Sequence, residues 1–397
     1  MTPLPHGLVL RTATPGDLPQ IAELLVDRGE PADAVDFRLM LRDLGLESCA
    51  VVVDGDRVVS TATLLDETLH LGEVALPAGQ VDLVATDRAY EGRGLVRALM
   101  NWAHERSAAR GDLVQIMIGI PYFYRQFGYA YAVPIVPTRP VTGLPDDDGA
   151  HTVRVAGAAD IPAMAALQDA AQADADLRMP HSAACWRWLV ERDGSSQLLV
   201  ERNGSAVATG RITPPDEGVH LGQVAAVDPA AARALLRYAV LAGGESTVEA
   251  SPRAFAAAAL ADYLGPPPQR PELYYLRVPD TIALLERLRP VLGARLAASA
   301  FADAEGEAIV SFFRSHVRLP YRAGVVGPVR NGGVMQAPGS QGGAAVAPDL
   351  VAALLFGPDG LAGLARRHPD AYPGPQTELM STLFPPVSAD ILTYYLP

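Results

Sequence analysis

The chain has 397 residues, of which 49% are hydrophobic, and a net charge of −13; at roughly 100–200 residues per domain it holds two to four buried cores. All 32 of its lysine-or-arginine positions are arginine and none forms a block able to track a phosphate backbone, which argues against a nucleic-acid partner. Cys49 and Cys185 are too few for a disulfide framework and lack metal-ligand spacing, and there is no apolar run of about 18 residues, so the expectation is a soluble, cytoplasmic protein with neither metal nor membrane span.

The opening MTPLPHGLVLRT has no basic region followed by an apolar one, so it is not read as a signal peptide. From Arg11 the sequence RTATPGDLPQIAEL reads as the end of a strand, a turn with Asp or Pro at its exit, and an amphipathic helix. The same pattern returns as RVAGAADIPAMAAL from Arg154, with arginine, alanine, aspartate, proline, alanine and leucine at matching places, 143 residues later. A second match is expected at the same offset: the strand VDLVATD from Val81 against VAAVDP from Val224, each followed by a helix. The two copies therefore read as an internal repeat. They differ at the turn, which is YEGRGL in the first copy and has no glycine in the second.

That turn has chemical content. A helix N-terminus offers unpaired N–H groups and the positive end of a dipole, and glycines let an anion approach the backbone. A Walker loop is excluded because there is no lysine, and a dinucleotide fingerprint because Arg97 stands where the third glycine belongs. What remains is an anion cradle between strand and helix, present in copy one and absent from copy two.

Further along, the Pro- and Asp-rich segment Val133 to His151 separates copy one from copy two, and LGPPPQRPEL from Leu264 separates copy two from a third region. The third region opens with helical DTIALLERLRPVLGARL and continues through helix-like DLVAALLFG and LAGLARRH. Between them the Gly-rich stretch Arg330 to Ala347 reads as hairpin and loop. His104 and His368 read as helix-surface residues, and no histidine has metal-ligand spacing.

The strand VDLVATD, the glycine turn and its helix, the strand LVQIMIGI and the segment FYRQFGY together resemble the GNAT acyltransferase family. The resemblance implies that the strand at Leu83, Val84, Ala85 and Thr86 receives the pantetheine of acetyl-CoA. It implies also that the turn Glu91, Gly92, Arg93, Gly94, Leu95, Val96 cradles the diphosphate. Against the family pattern [QR]-x-x-G-x-[GA], Gly94 matches while Glu91 and Val96 depart; Arg93 supplies a charged donor beside the Glu91 carboxylate. Backbone N–H groups near Val84 and Ala85 are the expected donors to the reaction's oxyanion. Tyr124 aligns with the family's general-acid tyrosine; the other reading of its aromatic-rich stretch is packing alone.

Two tandem lobes with only the first carrying the turn, followed by an α+β region, resemble the Eis-type (enhanced intracellular survival) acetyltransferases. DLRMPHSAACWRWL from Asp176 is similar to their arginine-then-tryptophan stretch. The expected fold class is two GNAT-like mixed sheets, residues 1–140 and 150–268, and a sterol-carrier-protein-like α+β domain, 272–397. The resemblance further implies a terminal carboxylate, here on Pro397, drawn into the active site as a catalytic group that orients the amine and relays its proton through water, where an aromatic residue is usual in that subfamily. The apolar tail Ile391, Leu392, Tyr394, Tyr395 and Leu396 reads as docked. Asp27 and Phe37 are implied as acceptor-pocket residues, and a hexamer as the assembly. The implied reaction is acetyl transfer to a primary amine of an aminoglycoside-like polyamine or a lysine side chain. The alternatives are a non-catalytic binding protein carrying an apolar ligand in its third region, and an acyltransferase of specialised metabolism with a different acyl donor.

Overall fold

A computed structural model describes residues 1–29, 31–213 and 218–394. Three mixed sheets organise these residues into an α/β architecture. The first sheet runs Thr2–Pro3, Val9–Thr12, Cys49–Asp54, Arg57–Leu71, Val74–Thr86, Val114–Met117, Leu273–Arg277 and Ala130–Pro134. Its strand Cys49–Asp54 is a nearly unbroken apolar run because both faces are covered. Cys49, Val51 and Val53 pack under the helices Leu18–Arg28 and Asp33–Leu44, while Ala50 and Val52 pack under Leu95–Arg110.

The second sheet runs Arg139–Pro140, Val248–Ala250, Val219–Ala226, Ser205–Ile212, Ser196–Arg202 and Thr152–Val155. The first match of the repeat is a shared structural device. Arg11 grips both carboxylate oxygens of Asp17 at 2.6 and 2.8 Å, and Arg154 grips Asp160 at 2.8 and 2.8 Å. The bidentate pair fixes the strand-to-helix turn in both lobes. The second match is out by three. In lobe one a bulge lies between the pairs Thr61–Ala85 and Thr63–Asp82, with Leu83 at φ 50°; in lobe two it lies between Thr209–Ala225 and Arg211–Gly222, with Gln223 at φ 52°. Leu83 thus corresponds to Gln223, an offset of 140 rather than 143. Apolar strands without a distinctive side chain slide in sequence comparison; a left-handed bulge does not.

Strand membership crosses the expected boundaries. Leu273–Arg277, read as the start of the third region, sits between two strands of the first sheet, and Arg139–Pro140, read as the end of lobe one, edges the second. The third sheet contains Val325–Val326, His316–Arg322, Glu305–Ser311, Ala344–Val346 and Ala371–Tyr372. The Gly-rich stretch is not a hairpin: Arg330–Gly332 pairs with His316–Arg322, whereas Ala344–Val346 pairs parallel with Glu305–Ser311. One apolar core joins Leu69, Val114 and Leu276 of the first sheet to Leu284, Phe356 and Leu383 of the third region.

The tail is docked as far as Tyr394. Ala389–Ile391 pairs with Leu177–Met179, which in turn pairs with Arg57–Leu71, and Ile391, Leu392 and Tyr394 are buried. The Tyr394 ring lies 5.1 Å from that of Trp188, and Arg211 donates to the Tyr394 carbonyl at 2.8 Å. Pro397 lies outside the described residues. No helix among the described residues is long and apolar enough to cross a membrane.

Candidate active site

Val74–Thr86 runs antiparallel to Arg57–Leu71 along its whole length but parallel to Val114–Met117 only from Ala78 to Gln80. Beyond Gln80 the parallel neighbours part, and the bulge at Leu83 and Val84 turns the strand away. The result is a window in the sheet, opening into a cleft of about 860 Å³. Its lining includes Leu83, Val84, Ala85, Thr86, Glu91, Gly92, Gly94, Leu95, Val96, Met117, Ile118 and Tyr124. The structure therefore brings together the expected pantetheine strand, the turn and the candidate acid.

The turn is built for open backbone. Gly92 and Gly94 adopt φ 74° and 78°, a region that costs a residue with a Cβ roughly 1 kcal/mol or more. Gly94 is the N-cap of Leu95–Arg110 and has no side chain to cap it, so the first N–H groups of that helix are left for a ligand. In lobe two the equivalent helix Pro229–Gly243 is closed: the Asp228 carboxylate accepts from the Ala231 N–H at 2.9 Å and also takes an ion pair from Arg202 at 2.7 Å. One helix start is open to anions and the other carries its own.

The Glu91 carboxylate is engaged by Arg28 at 2.5 Å, from the end of the first helix, which offsets its charge beside the turn. Arg93 stacks over the Tyr90 ring at 4.5 Å and donates to the Ala89 carbonyl. Arg28 and Arg97 both line the cleft, Arg97 tied to Gln126 at 2.6 Å. Neither cation is singled out by the sequence motif, although each lies within one helical turn of a segment that is.

Tyr124 lies in the 3-10 turn Phe123–Phe127, 6% exposed, among Phe123, Phe127, Tyr129 and Tyr275. A Cβ on Gly119 would overlap its ring, so the glycine makes its seat. Burial, with Asp82 adding to it, pushes the Tyr124 phenol up to about 12, so it keeps its proton at neutral pH. Beneath it, Tyr129 donates to Gln115 at 3.2 Å, and His104 lies 3.3 Å from the Tyr129 oxygen. His104 is thus half-buried on its helix, and partial burial holds it neutral, down at about 4.

Two expected acceptor residues do not line the cleft. Phe37 is 0% exposed and packs with Leu25, Leu41 and Val51, because it faces inward on its helix. Asp27 points outward, 3.8 Å from Arg88. The acidic residues that do line the cleft near the window are Asp33 and Asp82. Leu83 N–H, beside the expected oxyanion donors, is taken by Asp82 at 2.8 Å.

Residues 10–132 match the family described as acetyltransferase (GNAT) domain, which makes the chain an acyltransferase through its first lobe. Solved structures similar over the whole chain show the fold. A GCN5-related N-acetyltransferase from Kribbella flavida aligns at TM-score 0.67 and 18% identity, covering 98% of each chain. One from Anabaena variabilis ATCC 29413 aligns at 0.68 and 14%, covering 97% of this chain and 99% of that one. Eis1 from Mycobacterium abscessus aligns at 0.57 and 16%, again over 97% and 99%. No curated protein matches the chain significantly.

Proposed function

We propose that the chain transfers the acetyl group of acetyl-CoA to a primary amine of a cationic acceptor. The observation that carries this reading is the contrast between lobes: a splayed strand leads to an uncapped, glycine-started helix in the first, while the second closes the same helix with Asp228. An N-terminus left open beside a deep cleft suits a diphosphate, and the window beyond it suits a thioester.

In this reading the neutral amine attacks the thioester carbon, and the carbonyl oxygen becomes an oxyanion held by backbone donors near Val84 and Ala85. Collapse of the tetrahedral intermediate re-forms the carbonyl and breaks the carbon–sulfur bond. The Tyr124 phenol gives its proton to the departing thiolate, and the amine's proton leaves to a base. Gly92, Arg93, Gly94 and Leu95 hold the diphosphate, with Arg28 and Arg97 at the rim. Net charge −13 favours a cationic acceptor such as a polyamine or a lysine side chain. The third region and its tail serve as scaffold; we further propose a homo-oligomer, a hexamer by resemblance.

The binding-protein alternative needs room in the third region. The interior space among Leu285, Val310, Phe312, Leu354, Leu355 and Phe384 does not admit even a water molecule. The clefts of about 570 Å³ beside Pro290 and Val325 and about 360 Å³ beside Phe313 and Tyr372 lie at the surface of the third region, and an apolar ligand there would stay exposed to water. The test is release of free CoA thiol from acetyl-CoA with and without spermine, cadaverine, an aminoglycoside and Nα-acetyl-lysine. Acceptor-dependent release supports the enzyme. No release and no acetyl-CoA-induced rise in melting temperature would overturn it.

A further inference from the structure

The window has two chemically different faces. In an antiparallel pair, residues directly opposite one another project to the same side. Asp82 lies opposite Thr63, Gln80 opposite Leu65, and Ala78 opposite Glu67, so Asp82, Gln80 and Glu67 share a face. Leu65 shows which: it packs with Met40, Trp186 and Tyr394, towards lobe two and the tail. Val81 and Leu64 project the other way, into a cluster with Met100, Met117 and Tyr124 on the side of the glycine-started helix. Donor turn and candidate acid therefore lie on one face of the sheet, and three polar side chains lie behind the opening on the other.

Those side chains are organised. The Gln80 amide donates to one Asp82 oxygen at 2.7 Å, and the Leu83 N–H donates to the other at 2.8 Å. The bulge that opens the window thus also aims the carboxylate. Gln80 is 5% exposed, and its carbonyl oxygen has no hydrogen-bond partner among the described residues. A buried acceptor without a donor costs roughly 1–3 kcal/mol, so this face is short of N–H or O–H groups. Glu67, 5% exposed, is the third polar side chain on this face. Asp82 alone of the three lines the cleft.

We propose that Asp82 is the base of the reaction, receiving a proton from the acceptor's ammonium as that amine enters from the lobe-two face, and that Gln80 is its positioning residue. The inference rests on the acetyl-transfer reading and names the residue that reading leaves unassigned. The proton balance closes over two losses from nitrogen. The ammonium N–H bond breaks and its proton passes to an Asp82 oxygen, the freed lone pair forms the bond to the thioester carbon, and as the carbon–sulfur bond breaks the second excess proton on that nitrogen leaves to solvent. Tyr124 on the opposite face returns a proton to sulfur, and solvent re-equilibrates both groups after product release. A primary ammonium brings N–H donors to the Asp82 carboxylate, the one of these three groups that lines the cleft.

The electrostatics are consistent. Burial, with a contribution from Asp33 on the helix Asp33–Leu44, outweighs the Leu83 and Gln80 hydrogen bonds and lifts the Asp82 carboxyl to about 6. From the neighbouring strand Glu67 shares the face of Asp82, while Asp66 projects to the other face and, like Arg110, acts on Glu67 through space; Tyr124 feels the Asp82 charge across the window, and Cys185 and Tyr394 feel that of Glu67 from lobe two and the tail. A carboxylate of raised basicity removes a proton more readily than one in water.

The experiment compares wild type, Asp82→Asn, Gln80→Met and a chain lacking residues 395–397, in CoA-thiol release with saturating acetyl-CoA and spermine across pH 5–9. Wild type is expected to show kcat rising with pH through a midpoint near 6. Asp82→Asn is expected to lose about 100-fold or more in kcat and to lose that limb, while keeping the acetyl-CoA-induced rise in melting temperature. Gln80→Met removes a donor that favours the charged carboxylate, so its limb moves to higher pH; a merely structural residue would change the amplitude and not the midpoint. An Asp82→Asn enzyme within threefold of wild type, or one that keeps the limb while the truncated chain loses it, would overturn the proposal in favour of the tail. Absence of release by wild type with every amine would instead remove the acetyl-transfer reading itself.

Discussion

At the scale of single residues, burial decides what each candidate group can do. Burial, with Asp82 adding to it, keeps Tyr124 protonated; in the proposed reaction Tyr124→Phe therefore removes the proton given to sulfur and little packing volume. The expected result is a kcat lower by about 10- to 100-fold with an unchanged acetyl-CoA-induced rise in melting temperature, measured by thiol release and thermal denaturation on the same sample. Glu67 offers a prediction about stability. Desolvation, with Asp66 and Asp82 nearby, raises its carboxyl to about 8, above the roughly 4.3 of an unfolded glutamate. Below both values the group is neutral in folded and unfolded chains and has no effect. Between them only the unfolded chain ionises, so stability falls as pH rises from about 4 to about 8 and then levels off. Glu67→Gln removes that slope. The variant should be more stable than wild type by roughly 1–3 kcal/mol at pH 7.5 and about equal at pH 4.5, in urea titrations at the two pH values. Equal stability at both would show that Glu67 ionises freely.

At the scale of elements, the site is made by two irregularities, a bulge and an uncapped helix, and they were not equally legible. The helix start could be read, because glycines on either side of an arginine, directly before an apolar run, mark a turn whose backbone stays open. The bulge could not: Leu83 is an apolar residue in an apolar strand, and nothing in its type announces φ 50°. The same blindness made the second repeat match slip by three, while the Arg11–Asp17 and Arg154–Asp160 turns, marked by charge, aligned correctly. Phe37 failed as a pocket residue because position on a helix, not residue type, decides whether an aromatic faces core or cleft. Asp82 carried a signal in retrospect, a carboxylate inside an otherwise apolar strand. The two helix starts give a paired test. Gly94→Ala forces a Cβ into a left-handed backbone and disturbs the open N–H groups, so acetyl-CoA affinity should fall at least about tenfold with a melting-temperature loss of only a few degrees. Asp228→Ala removes a cap and should cost about 1 kcal/mol with unchanged kcat and acetyl-CoA affinity. Isothermal titration and thermal denaturation of both variants check the pair, and an acetyl-CoA defect in Asp228→Ala would mean that lobe two is not closed.

At the scale of the whole molecule, the lobes and third region are tied together by the tail, and its deepest tie is ionic. Arg253, from the start of a lobe-two helix, pairs with Asp390 of the tail at 2.7 Å, with side-chain exposures of 5% and 11%. Arg253 also donates to Gln168, and Gln172 donates to the Asp390 carbonyl at 2.9 Å. Breaking a buried pair from one side strands a charge, whereas replacing both partners with apolar groups of similar size does not. Arg253→Met should therefore destabilise the chain by about 3 kcal/mol or more, and the Arg253→Met, Asp390→Leu double variant should recover most of that loss. Because the tail strand carrying Asp390 pairs with Leu177–Met179 and through it with the catalytic sheet, the single variant should lose activity at temperatures below its global unfolding, as the tail frays first. Calorimetry beside an activity-versus-temperature curve reads both effects. If the double variant is no more stable than the single one, the network around Gln168 and Gln172, rather than the ion pair, is what holds the tail to the lobes.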